Sequence, residues 1–194
     1  MPATGNAMDL PPGGQKPRII LLIGPKGSGK SLIGTLMADH SAFVFVRVET
    51  WALDVRRDRP ADDPEYVSDV FARIEAGLRE TLQQTPGVVF ESTGLTDAFD
   101  QMLTRLQADF QVALIGIRAS DVVCLERIRT RDASIHIPVS DHLIADINRQ
   151  VREKQIPVDL EIVNEGKELS ELTAKIRQVL RRIAPEWVHP GGER

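Results

Sequence analysis

The chain has 194 residues, 42% of them apolar and 27% charged, with a formal net charge of −4 and a single cysteine, Cys124. That length suits one domain able to bury a sheet with helices on both faces. The acidic balance offers no basic stripe for nucleic acid or an anionic membrane, one cysteine rules out an internal disulfide, and no apolar run approaches the roughly 20 residues of a bilayer span.

Residues 1–16 include Pro2, Gly5, Pro11, Pro12, Gly13 and Gly14, with little to bury. They read as a flexible leader that lacks the basic start and long apolar core of a secretory signal, so the cytoplasm is the expected setting. A single domain is expected over residues 17–184. Pro185 is expected to stop the last helix and open a loose tail over residues 185–194. Residues 18–23 form an apolar strand, and Ser31 to Met37 follow with helical spacing. Between them stands Gly24-Pro25-Lys26-Gly27-Ser28-Gly29-Lys30-Ser31, which matches G-x-x-x-x-G-K-[ST], the phosphate-binding loop. Its glycines let the backbone wrap a polyphosphate and turn N–H groups inward, and the following helix adds the positive end of its dipole. Lys30 reaches the β- and γ-phosphates, and the Ser31 hydroxyl ligates Mg²⁺. The loop predicts a bound nucleotide.

A second strand is expected over residues 43–48, ending in Val48-Glu49-Thr50. Glu49 is a candidate general base toward an acceptor hydroxyl, or a solvated loop charge. The polar stretch 50–64, with Arg56, Arg57 and Arg59 among Asp54, Asp58, Asp62 and Asp63, is either an acceptor-binding connection or a solvated one. Val67, Val70, Phe71, Ile74, Leu78 and Leu82 mark a helix over residues 65–83. The third strand, residues 87–91, runs into Glu91-Ser92-Thr93-Gly94. A carboxylate closing an apolar strand beside the phosphate loop either holds the Mg²⁺ shell or orients the nucleophile. Ser92 and Thr93 suit substrate contact or plain turn chemistry.

Thr96 caps the next helix, with Phe99, Met102, Leu103 and Leu106 inward. Residues 111–117 form a fourth strand, after which Ser120 is expected to cap a helix carrying Cys124 as a buried thiol. On that helix Arg127 and Arg131 share one face. They either close over a triphosphate or form a solvated face paired with Glu126 and Asp132. His136 is a candidate proton carrier in the loop beyond. A helix through Leu143, Ile144 and Ile147 follows, then a fifth strand over residues 158–163, then Asn164-Glu165-Gly166, whose backbone suits either an adenine edge or an ordinary turn. Ser170 is expected to cap the last helix. Strand–helix alternation means an α/β fold with a parallel sheet.

Taken in this order, the phosphate loop, the acidic residue after the second strand, Glu91-Ser92-Thr93-Gly94 and the two arginines resemble the small P-loop kinases. These are the shikimate and gluconate kinases, the adenylate-kinase group and the zeta-toxin-like phosphotransferases. The resemblance implies a three-layer fold around a five-stranded parallel sheet in order 2-3-1-4-5, and transfer of the ATP γ-phosphate to a hydroxyl or phosphate, with a hydroxyl of a small metabolite the leading reading. By the same likeness, Lys30 and Ser31 match the loop lysine and the magnesium-bound hydroxyl. Glu49 falls where several such kinases place an activating aspartate, and Arg127 and Arg131 fall on the lid arginines. Glutamate stands in place of aspartate at both Glu49 and Glu91. A nucleotide switch or regulatory ATPase without an acceptor and a nucleoside or polynucleotide kinase are the alternative readings. ATP is expected over GTP, because no Asn-Lys-x-Asp follows Val163.

Overall fold

A computed structural model of the protein describes residues 18–56, 59–60, 63–130, 141–166 and 168–189. Five strands form one parallel sheet in the order β2-β3-β1-β4-β5: β1 (Arg18–Ile23), β2 (Val44–Phe45), β3 (Gly87–Ser92), β4 (Gln111–Arg118) and β5 (Leu160–Val163). The expected order is the observed one. Strand β1 lies at its centre, and every residue from Ile19 to Ile23 is buried. A strand buried on both faces must be apolar at every position rather than at alternate ones. Ile20 and Leu22 face helices α1 (Lys30–Asp39) and α7 (Leu169–Ile183), where Ile33, Met37, Ile176 and Leu180 complete one core layer. Ile19, Leu21 and Ile23 face α3 (Pro64–Thr81) and α4 (Asp97–Asp109), with Ile74, Leu78, Phe99 and Met102 in the second. The remaining α-helices of the described residues are α2 (Val48–Arg56), α5 (Asp121–Thr130) and α6 (Asp141–Lys154).

Register matters more for the site than layer composition. Leu22 is level with Glu91, and Ile23 with Ser92. The carboxylate that ends β3 therefore emerges beside the last residues before the phosphate loop.

Several elements depart from the sequence expectation for identifiable reasons. The second strand is two residues long rather than six, although Val46 N–H still bonds the Val89 carbonyl at 2.8 Å. Val48 instead opens α2, so Glu49 stands in a helix's first turn and not at a strand end. That helix is held by contacts remote in sequence. Trp51 lies so close over Gly77 that a Cβ there would meet its ring at 2.5 Å, Arg73 stacks on the indole, 5.2 Å from its centroid, and Tyr66 Oη donates to the Ala52 carbonyl at 3.1 Å. Asp63 caps α3 by accepting from Glu65 N–H and Tyr66 N–H. Thr96 caps α4 as expected, accepting from Phe99 N–H at 3.2 Å.

Two expected caps do other work. The Ser120 hydroxyl donates to Glu165 Oε2 at 2.8 Å, and Ser170 lies inside α7, whose N-cap position is Glu168. Strand β5 begins at Leu160 rather than residue 158, after Asp159 has bonded Leu114 through both its N–H and its carboxylate. Where a tail is expected from Pro185, Pro185–Trp187 form a 3₁₀ turn and Val188 bridges Ser41. The expected leader and Pro190-Gly191-Gly192 lie outside the described residues.

Candidate functional site

The loop from Gly24 to Gly29 cannot carry side chains where its glycines stand. Gly27 and Gly29 have φ of +82° and +91°, a region that costs other L-residues free energy. Space is also lacking: a Cβ on Gly27 would meet the Cys124 carbonyl oxygen at 2.3 Å, and one on Gly29 the Asn164 amide nitrogen at 2.2 Å. Helix α1 starts directly after, with Gly29 at its N-cap, no side-chain cap and no acidic residue in its first turn. Its leading N–H groups are thus left to a ligand, and they favour an anion.

Lys30 is buried, and its Nζ donates to the carbonyls of Gly24 at 3.0 Å and Pro25 at 2.9 Å. Burial is the main reason its pKa falls to about 8; Glu91 opposes the fall and Lys26 adds to it. A cation held below its ordinary pKa against neutral carbonyls gains when a phosphate replaces them. Beside it, Ser31 Oγ donates to Glu91 Oε1 at 2.6 Å. This bond fixes the hydroxyl, leaves its lone pairs to a cation, and explains why a half-buried carboxylate is tolerated at the end of an apolar strand.

Lys26, Gly27, Gly29, Lys30, Ser31, Val48, Glu49, Glu91, Ser92, Thr93, Arg127 and Ile128 line one cleft of about 240 Å³. Glu49 reaches it from α2 and is exposed. The backbone from Ser92 to Gly94 is fixed twice: Gly94 N–H donates to Ser92 Oγ at 3.1 Å, and Lys154 Nζ donates to the Gly94 carbonyl at 2.6 Å while pairing with Asp100. A second cavity of about 360 Å³ lies at the ends of β4 and β5, walled by Pro25, Gly116, Val151 and Ile156. Its rim charges are already paired, Arg118 with Glu161 and Ser120 with Glu165.

Beneath the loop lies a bracing layer. Asn164 is buried, its amide donates to the Ser28 carbonyl at 2.9 Å, and its own N–H donates to the Arg118 carbonyl at 2.8 Å. Its carbonyl and its side-chain oxygen accept from Arg127 at 3.0 and 3.3 Å. The strand's continuation, the loop and Arg127 thus occupy Asn164's own groups. Arg127 joins the cleft, but its guanidinium presently serves backbone carbonyls, including Ser28's at 3.4 Å. Arg131, His136, Arg57 and Asp58 lie outside the described residues.

Sequence reasoning missed Asn148. It is buried on α6 and grips Lys26 by two bonds, accepting from Lys26 N–H at 2.6 Å and donating to the Lys26 carbonyl at 3.0 Å. The signal was present: Asn148 stands four residues after the buried Ile144, and an amide in core phase needs a partner.

Among the described residues no group of three or more His, Cys, Asp or Glu side chains gathers to hold a metal, and no helix is long and apolar enough to cross a membrane. A family model described as an AAA domain matches residues 19–154. No curated protein matches the chain by sequence. Among solved structures, the gluconokinase of Sinorhizobium meliloti 1021 is 20% identical with a TM-score of 0.62, over 89% of this chain and 97% of its own. The shikimate kinase of Aquifex aeolicus vf5 is 19% identical with a TM-score of 0.52, over 86% and 98%. The Mycobacterium tuberculosis APS kinase solved with AMPPNP and APS is 12% identical with a TM-score of 0.57, over 87% and 99%. At these identities the likeness is one of fold, that of the small P-loop kinases.

Proposed function

Because the chain belongs to this AAA domain family and has the fold of the small P-loop kinases, we propose that it is an ATP- and Mg²⁺-dependent phosphotransferase. It moves the γ-phosphate to a hydroxyl of a small metabolite. One observation carries the reading: a single cleft holds the phosphate loop, the Ser31–Glu91 pair and a separate carboxylate, Glu49. Transfer to a hydroxyl needs a group to receive the acceptor's proton, and Glu49 is a carboxylate of the same cleft apart from the Ser31–Glu91 pair.

The roles follow from position. Loop N–H groups and the start of α1 bind the phosphate chain, and Lys30 exchanges the Gly24 and Pro25 carbonyls for phosphate oxygens. Ser31 and Glu91, two oxygen ligands 2.6 Å apart, suit Mg²⁺, which keeps several waters and takes its remaining ligands from phosphates. When bound, the ion neutralises phosphate charge and orients the transferring group. Glu49 accepts the acceptor's proton, with Ser92 and Thr93 as the nearby polar groups that orient it. Arg127 stabilises charge on the transferring group once released from Asn164, and Arg131, four residues on in sequence, is assigned the same role. Cys124 stays a buried thiol outside the chemistry, in keeping with a cytoplasmic setting.

Thermal-shift screening of sugars, polyols and hydroxy acids with AMPPNP and Mg²⁺ tests this. An acceptor class that stabilises the protein only when the nucleotide is present, and that takes up the γ-phosphate of ATP, is the expected result. ATP hydrolysis with no acceptor found across those classes and short polynucleotide 5′-ends would favour a regulatory ATPase and overturn the kinase reading.

A further inference from the structure

We infer that Lys154 is a positioning residue for the acceptor: it holds the Gly94 carbonyl and so sets where Ser92 and Thr93 stand in the cleft, apart from the groups that hold the nucleotide. The inference rests on the phosphotransferase reading and deepens it.

Lys154 ends α6 and stays out of the cleft's lining. An ammonium group has three protons to donate, and here each has an acceptor. One goes to the Gly94 carbonyl at 2.6 Å, and two go to the Asp100 carboxylate at 2.9 and 2.8 Å. Nζ also stands 5.9 Å from the centroid of the Phe99 ring. Joining α6 to α4 needs the ion pair alone. The bond to Gly94 is additional and short, as charge-assisted bonds are. It falls on the residue directly after Ser92 and Thr93, which line the cleft.

The turn is shaped to be held there. Gly94 is buried with φ of +75°, and a Cβ on it would meet Ile156 Cδ1 at 2.3 Å. The chain at the end of α6 thus grips this residue twice, by an apolar contact at its Cα and a polar one at its carbonyl. Gly94 N–H in turn donates to Ser92 Oγ at 3.1 Å, which leaves that hydroxyl's own proton for the acceptor substrate. The nucleotide half of the cleft is fixed by other means. Glu91 is registered against β1 and bonds Ser31, and the loop rests on Asn148 and Asn164. Transfer depends on holding the acceptor oxygen about 3–3.5 Å from the phosphorus, and a misplacement of about 1 Å can cost about a hundredfold. Losing the Lys154 bond lets the Ser92–Gly94 turn shift while the nucleotide stays in place.

The test uses the full chain, with Mg²⁺–AMPPNP for binding. Turnover is read with Mg²⁺–ATP and the sugar, polyol or hydroxy acid that the thermal-shift screen selects. Lys154→Met should leave AMPPNP affinity within about threefold and lower kcat/KM for that acceptor by about ten- to hundredfold. Lys154→Arg, which can donate to the carbonyl and the carboxylate together, should recover most of the loss. Asp100→Asn keeps an oxygen for Nζ but removes the ion pair, so it should lower Tm and leave the acceptor's kcat/KM within about threefold. Lys154→Gln, shorter and uncharged, replaces the methionine variant if that one does not fold. Equal losses for nucleotide and acceptor, no loss at all, or an acceptor defect in Asp100→Asn equal to that of Lys154→Met overturn the inference while leaving the phosphotransferase reading in place. A wild-type chain with no acceptor among these classes overturns both.

Discussion

Asn164→Ala separates a brace from a base reader. In the structure the Asn164 amide donates to the Ser28 carbonyl at 2.9 Å, its side-chain oxygen accepts from Arg127 at 3.3 Å, and the side chain is buried. Alanine removes both bonds. Arg127 keeps the main-chain carbonyl of residue 164 at 3.0 Å, but the Ser28 carbonyl is left with only the 3.4 Å contact from Arg127. A buried group left short of a partner costs about 1–3 kcal/mol, which for a chain of this size lowers Tm by roughly 2–12 °C. The loop also loses its support, so ATP and GTP should weaken by a similar factor, about tenfold. Asn164→Asp should be no better, because it sets a carboxylate oxygen against the Ser28 carbonyl in place of a donor. Differential scanning calorimetry and titration with both nucleotides decide the matter. An unchanged Tm with an altered ATP-to-GTP ratio would show that Asn164 reads the base and would refute the brace.

Other expectations follow from single contacts. Lys30→Met should lose nucleotide binding by more than about a hundredfold in titration, while its circular dichroism stays native, because the wild-type cation is buried at a cost. That cost has a pH signature: below pH 8 Lys30 is charged in both states, whereas between about 8 and 10.5 the unfolded chain holds more protons. Nucleotide-free stability should therefore rise with pH across that window, by at most about 1.4 kcal/mol per unit from this group, and urea unfolding of Lys30→Met should lack that component. Ser28 Oγ is buried without a hydrogen-bond partner among the described residues, so Ser28→Ala should melt at or above the wild-type temperature. Glu91→Gln should weaken Mg²⁺-dependent ATP binding with every acceptor, whereas Glu49→Gln should leave that binding near wild type and cut transfer by about a hundred- to ten-thousandfold; titration and turnover in both variants would expose a reversal of roles.

What the sequence made legible was local or periodic. The phosphate loop is eight contiguous residues, the central strand β1 is apolar at five consecutive positions, and Thr96 announces its helix by type and spacing. What it hid depends on partners far along the chain. Nothing near Val48 shows that Trp51 will sit over Gly77 and make a helix of a polar stretch. Asn164 looks like a turn residue until Ser28 and Arg127 are brought to it. Asn148 and Lys26 are 122 residues apart, so their two hydrogen bonds have no local trace beyond an amide in core phase.

The loop is thus preorganised by elements that carry no phosphate-binding motif. Asn148 of α6 holds Lys26, the α5 backbone at Cys124 fills the space beside Gly27, and Asn164 with Arg127 holds Ser28. Two of the cleft's cations are also kept on neutral carbonyls, Lys30 on Gly24 and Pro25 and Arg127 on Asn164 and Ser28. Those carbonyls act as placeholders: they satisfy donors that would otherwise be buried unpaired, yet they are weaker partners than an ionised phosphate. Under the proposed function, exchange toward phosphate is downhill for both side chains. Arg127 is the more informative of the two, because its departure removes one of two donors from Ser28 and leaves Asn164 to hold the loop alone.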